Sequence, residues 1–227
     1  LNFFDSLTLK IPDSVIFDSQ TNLERFKKRM NLERQSTRVW YPEPPNYFYP
    51  ELSDEIEKTS DIIFVGQFSP LMGLETIREA LLSPALRNYK VTIIGAGQSN
   101  ENLLMDNLPE NVTRITRVPY EELPSVIARH RVSLGIFGDS EKAASVFPNK
   151  VIESLLVGVP CITRSGDISE HFSDTGCLFI EEKNATRLIE AIQLVLEDGD
   201  FLEDLKQKTK DFSAKFREET SQYEVSN

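Results

Sequence analysis

From residue 61 to 198, short β-branched runs alternate with helix-length amphipathic segments, and this alternation constrains the fold more than any other feature. The runs are DIIFVG (61–66), KVTIIG (90–95), NVTRIT (111–116), VSLGIF (132–137), VPCIT (159–163) and GCLFI (176–180). Between and after them lie helical segments at 74–83, 99–106, 120–129, 148–157 and 185–197. In the last, Ala185, Leu188, Ile189, Ile192, Val195 and Leu196 recur at the spacing of one helix face. Strands that are apolar almost throughout need cover on both faces, which parallel crossover helices supply. The pattern predicts an α/β, Rossmann-like domain: a parallel six-stranded sheet with helices on both faces.

The flanks read differently. Residues 1–40 resemble the remnant of a second α/β unit, with a strand at SVIFD, a helix from about Thr21 to Met30 and a further strand at TRVWY. Four prolines in YPEPPNYFYP (41–50) forbid regular structure, so 41–60 is expected to be a stiff hinge. Residues 199–227 form a last helix with Leu202, Leu205, Phe212 and Phe216 on one stripe. Because the sheet domain is already complete at 198, that stripe is expected to pack back on the N-terminal part. A start at Leu1 in mid-pattern suggests a piece of a longer protein.

Composition excludes some functions. The formal charge of −11 opposes nucleic-acid binding, which needs a basic face. No apolar run is long enough to span a bilayer, so membrane-surface association is expected only through parts outside this chain. Cys161 and Cys177 lie in apolar runs and read as buried small hydrophobes of a reducing compartment; with no signal-peptide pattern, the expected location is cytoplasmic. His130 and His171 stand alone, without partners at metal-ligand spacing, so no metal is expected and both read as surface or structural residues. No GxSxG elbow supports a hydrolase.

Three loops after strands carry the candidate chemistry. GQFSPLMG (66–73) has Gly66 and Gly73 at its ends, where backbone N–H groups can approach a phosphate, and a helix follows it. GAGQSN (95–100) lacks the third glycine of a dinucleotide fingerprint, and no acidic residue closes the next strand, which ends in Arg117 and Val118. The third is FPNKVIESLL (147–156). Pro148 is expected at the first helical position, and Val151, Ile152, Leu155 and Leu156 form a buried stripe. Asn149 and Glu153, four apart, share a face away from that stripe, with Lys150 nearby. The helix start suits a diphosphate and Glu153 a ribose diol; the competing reading is a solvated Lys150–Glu153 pair on an ordinary surface helix.

Taken in order, DIIFVGQFSPLMGLETIREAL, VTIIGAGQSN, RVPYEELPSVIARHRVSLGIFGDSEKAASVFPNKVIESLLVGVPCITR and DTGCLFI resemble one arrangement. It is the C-terminal, donor-binding domain of group-1/family-four retaining glycosyltransferases of the two-domain GT-B fold. DSVIFDSQTNLERF resembles the end of the family's N-terminal domain. The resemblance implies a nucleotide-diphosphate sugar as donor substrate, no cofactor and usually no metal. It also implies an acceptor, such as a glycan or lipid-linked glycan, that enters from the N-terminal domain.

By the same resemblance, Glu153 would hold ribose; Pro148, Asn149, Lys150, Gly66, Gln67 and Gly73 would line the phosphates; and the backbone at Arg117 and Val118 would line the base. Two departures stand out. Ser145 occupies the place of the family's sugar-contacting glutamate, with Glu141 as a possible substitute. Gln67 and Met72 stand where the family carries an Arg and a Lys on the diphosphate, and Lys150 or Lys142 are candidates to compensate. If they do not, the alternative is a catalytically silent binding or regulatory module of the same fold.

Overall fold

A computed structural model of the chain describes residues 13–17, 20–30, 36–39, 44–48, 56–98, 105–146, 148–166, 169 and 172–224. The elements are β1 (Ser14–Phe17), α1 (Gln20–Met30), β2 (Ser36–Val39), β3 (Ser60–Val65), α2 (Leu74–Leu82), β4 (Val91–Ile94) and β5 (Val112–Ile115). There follow α3 (Leu123–Ala128), β6 (His130–Leu134), α4 (Glu141–Ser145), α5 (Asn149–Leu156), β7 (Cys161–Arg164), β8 (Cys177–Ile180), α6 (Ala185–Glu197) and α7 (Gly199–Glu224). The expected helix at 99–106 lies largely outside the described residues, as does His171. The short α4 was not expected; its polar stretch carries no amphipathic period, and Ser140 caps it by accepting from the Ala143 N–H at 3.1 Å.

Six strands form one sheet in the order β5-β4-β3-β6-β7-β8, with every neighbouring pair parallel. The chain winds outward from β3 to β5, returns to β6 beside β3, and winds the other way to β8. The order therefore reverses between β3 and β6, and that is where an open parallel sheet leaves a crevice at its strand C-terminal ends. β1 and β2 form a separate parallel pair ahead of the six-stranded sheet.

The strand period of two explains the layers. Ile62 and Phe64 of β3 face one side, in a core shared with Ile77 and Leu81 of α2 and Leu188, Ile192 and Val195 of α6. Ile63 faces the other side and packs with Leu123 and Ile127 of α3, Val159 and Phe48. Phe48 is fully buried, so the proline-rich connector is pinned to the sheet domain by one aromatic ring.

The stripe of α7 does not do what was expected. Leu202 and Leu205 join the main core of the sheet domain. Phe212 and Phe216 pack with Phe172 and with Val151 and Leu155 of α5, with ring centroids 5.7 Å (Phe172–Phe212) and 5.4 Å (Phe212–Phe216) apart. The sheet domain was not complete at 198: its edge near β7 and β8 needed this helix. Gly176 (φ 86°) makes room for it, since a Cβ there would lie 2.4 Å from Thr209 Cγ2.

Both cysteines are buried and free, directly opposite each other on β7 and β8. His130 is a structural residue, with Nδ1 2.8 Å from the Val126 carbonyl and Nε2 2.8 Å from Thr92 Oγ1. Among the described residues, no helix is long and apolar enough to cross a membrane.

Candidate functional site

Backbone bonds tie together the loops after β3, β4 and β6, and the third candidate segment, 147–156, reaches them through the Lys150 side chain. Gly66 N–H donates to the Ile94 carbonyl at 2.9 Å and Phe68 N–H to the Ala96 carbonyl at 2.9 Å, which joins the loop after β3 to the loop after β4. Phe137 N–H donates to the Met72 carbonyl at 3.0 Å and Gly138 N–H to the Leu71 carbonyl at 3.2 Å, which joins it to the loop after β6. Approach this close demands glycine. A Cβ on Gly95 (φ 154°) would stand 2.0 Å from the Gly66 carbonyl oxygen, and one on Gly73 (φ 63°) would stand 2.4 Å from Phe137 carbonyl carbon. Gly73 is also the residue from which α2 begins, so its left-handed backbone aims the helix start at the crevice.

Lys150, one of the two candidates to stand in for the missing loop cations, is placed unexpectedly. It does not lie on a solvated surface but points inward beneath Gly66, where an added Cβ would meet Nζ at 2.4 Å. Its ammonium donates to Met72 Sδ at 2.9 Å and stands 4.2 Å from the centre of the Phe64 ring. A thioether and an aromatic face replace little of the water that the ammonium loses. Burial accordingly pulls its pKa down from 10.5 to about 7, against the smaller opposing fields of Cys161 and Glu153. The loop therefore meets a lysine amine at Met72, brought from α5 rather than carried by the loop itself. Gln67 is exposed, and so is Lys142, which stays on the surface of α4.

Glu153 is 7% exposed, one turn farther along α5. The expected division of this helix into a buried stripe and an open face fails: Val151, Ile152, Glu153, Ser154, Leu155 and Leu156 are all buried, because α3, α7 and the sheet enclose it. Burial also rules out the solvated Lys150–Glu153 surface pair. The Glu153 carboxylate accepts from the Tyr120 hydroxyl at 2.6 Å. Burial raises its pKa, while the Tyr120 bond and the Lys150 charge pull it back down. Pro148 stands one position before the first helical residue, Asn149, and its carbonyl accepts from the Val151 N–H at 2.9 Å. Asn149 is exposed.

The remaining candidates sit around this centre. Ser145 is buried at the end of α4, donating its hydroxyl to the Glu141 carbonyl at 3.0 Å. Arg25 of α1 reaches it, with Nη1 donating to Ser145 Oγ at 3.2 Å and Nη2 3.3 Å from the Glu141 carboxylate. Arg117 is exposed beyond β5, and Val118 packs partly buried in the Phe48 cluster. Among the described residues, no group of three or more His, Cys, Asp or Glu could hold a metal ion.

Sequence reasoning missed Tyr120, Phe48 and Arg25. Tyr120 lies 33 residues from Glu153 and Arg25 120 residues from Ser145, distances at which no periodicity speaks.

Comparison with known proteins gives this site its family. The model of the family described as glycosyl transferases group 1 matches residues 59–198. No curated protein matches the chain. Among solved structures, sucrose-phosphate synthase from Thermosynechococcus elongatus superposes with a TM-score of 0.68 at 18% identity, over 98% of this chain and 61% of that one. HepE of Anabaena, solved in complex with UDP and glucose, gives 0.73 at 16% identity, over 92% and 60%. The C-terminal domain of the group 1 family protein LpcC from Francisella tularensis gives 0.61 at 15% identity, over 77% of this chain and 97% of that domain. The chain thus spans about three fifths of the two longer proteins. The likenesses establish the fold, and the match over 59–198, most of the chain, establishes kinship. The chain belongs to the group 1 glycosyl transferases.

Proposed function

We propose that this chain is the donor-binding part of a glycosyltransferase that moves a sugar from a nucleoside-diphosphate donor to an acceptor hydroxyl with retention of configuration. The observation that carries the reading is the pairing of an inward-pointing lysine beside the sheet's switch point with a buried carboxylate on the same helix. Lys150 lies under the loop 66–73, which follows β3 at the switch point where open parallel sheets bind ligands, and Glu153 stands one turn away on the same helix. A diphosphate would replace the poor thioether partner of Lys150 with charge-assisted bonds, and a ribose diol would donate to Glu153. The start of α5 adds backbone N–H groups on the phosphate side.

The backbone around Arg117 and Val118 would line the base, and Ser145 with Glu141 the donor sugar. The acceptor, a glycan or lipid-linked glycan, would enter from the part of the protein that this chain lacks. We therefore expect the chain alone to transfer no sugar; measurable transfer by it would overturn that point.

The test is calorimetric titration with UDP-, GDP- and dTDP-sugars on the wild type, Lys150→Met and Glu153→Ala. Saturable binding of one donor, weakened at least tenfold in each variant, supports the reading. Absence of binding to all three in the wild type points instead to a silent module, a reading that Gln67 and Ser145 favour.

A further inference from the structure

Tyr120 is the aromatic residue that the donor-site reading leaves without a task, and its surroundings are unusual. The residue is 41% exposed, yet its hydroxyl reaches the buried Glu153 and donates to Oε1 at 2.6 Å. The ring leans on Phe48, with centroids 5.1 Å apart and planes tilted by 47°. Phe48 is fully buried and comes from the connector that precedes the sheet domain, not from the sheet domain itself. One chain of contacts thus runs from the connector to Phe48, to Tyr120, to the carboxylate.

We propose that Tyr120 is a positioning residue for the nucleoside: its hydroxyl holds one oxygen of Glu153 so that the other faces the ribose diol, and the connector's Phe48 fixes the ring that does so. The inference rests on the donor-site reading above. A carboxylate offers about four lone-pair positions, so one donor from tyrosine leaves room for the two hydroxyls of a ribose. A lone buried carboxylate could rotate or take up a proton; one tied by a short bond to an anchored phenol keeps its orientation.

The surroundings of Glu153 agree with this role. Glu153 lies in an apolar enclosure formed by α3, α7 and the sheet, where an untied carboxylate would favour its protonated form. Among the described residues, the groups that act on it are Tyr120, from the turn before α3, and Lys150 on its own helix; both favour the ionised form. Lys150 in turn faces Cys161 of β7 and Glu153.

The sign of the effect follows. Removing the phenol moves the carboxyl's titration upward, so diol recognition fails at a higher pH. The phosphate groups of a free nucleotide titrate too, and a control must cancel them.

The experiment measures affinities of UDP and of 2′,3′-dideoxy-UDP from pH 5.5 to pH 8 by calorimetry, or of the GDP pair if the wild type binds guanine. Wild type, Tyr120→Phe, Phe48→Leu and Glu153→Gln are compared. The quantity read is the ratio of ribo to dideoxy affinity, in which phosphate titration cancels.

In Tyr120→Phe the ratio is expected to stay within about threefold of wild type at pH 8 and to fall about tenfold further at pH 5.5. Phe48→Leu, which keeps the hydroxyl but loosens the ring, is expected to show part of that acid-side loss. In Glu153→Gln the ratio should be near one at every pH. A ratio that follows the wild-type profile in Tyr120→Phe overturns the proposal while leaving the donor site intact. A ratio near one in the wild type, or no nucleotide binding at all, overturns the donor-site reading and the proposal with it.

Discussion

Lys150→Met should make this protein more stable and less able to bind its ligand. The native ammonium is surrounded by the Phe64 ring, Met72 Sδ and the underside of Gly66. Its pKa of about 7 in the fold against 10.5 for an ordinary lysine fixes the size of the effect. At about 1.36 kcal/mol per tenfold change, holding the charged side chain in place costs the folded state about 5 kcal/mol at pH 6. The sign follows from linkage. Between pH 7 and 10.5 the unfolded chain binds more protons at this site than the native one, so native stability rises with pH across that window. Methionine carries no charge and fills a similar volume, so the variant escapes the cost.

The expected gain in unfolding free energy is about 5 kcal/mol at pH 6 and shrinks to about 2 kcal/mol at pH 9. Urea denaturation of both proteins at the two pH values measures it, with equal m-values confirming that the native folds match. A variant no more stable than wild type at pH 6, or a gain that does not shrink with pH, would refute the reasoning. The same variant should lose nucleotide-sugar binding, the usual relation between a strained site and its function.

Other perturbations test the scaffold around that lysine. Gly95→Ala should cost about 3 kcal/mol in denaturant unfolding, since its Cβ would collide with the Gly66 carbonyl oxygen, 2.0 Å away, and neither loop can retreat without breaking their shared bonds. Gly66→Ala meets only the far end of a lysine, so the fold should persist with near wild-type stability while nucleotide-sugar affinity falls at least tenfold by titration. Phe216→Ala, which empties a place 8% exposed among Phe172, Phe212 and α5, should cost about 3 kcal/mol and shift the melting midpoint downward.

The sheet was legible because six apolar runs at regular intervals leave one economical solution, and all six form the expected parallel sheet. The helix of 199–227 was legible as a helix but not in its docking. Nothing in Leu202, Leu205, Phe212 or Phe216 says which hydrophobic surface is still uncovered, and the answer depended on β7 and β8 lying at the sheet edge. The site was half legible. Glu153 could be singled out by the family resemblance and by the apolar helix around it, yet its burial could not be foreseen, because α5 is enclosed by α7 as well as by the sheet. Lys150 could be named as a candidate to compensate for Gln67 and Met72, but not its inward course: its neighbours Phe64 and Met72 lie 86 and 78 positions away in sequence. The absence of a cation at Gln67 and Met72 looked like a defect of the site. In the fold, a lysine amine arrives at Met72 from the other side.

The central claim is that Lys150 supplies the positive charge that the loop 66–73 lacks, and proton uptake on binding tests it most directly. A neutral amine that becomes an ammonium against a diphosphate must take its proton from solvent. Titration of the donor at pH 8 in two buffers of different ionisation enthalpy counts those protons. For a lysine with a pKa of about 7 in the free protein, uptake of about 0.9 proton per nucleotide sugar is expected in the wild type, and none in Lys150→Met. Binding without uptake in the wild type, or equal uptake in both proteins, would contradict the account.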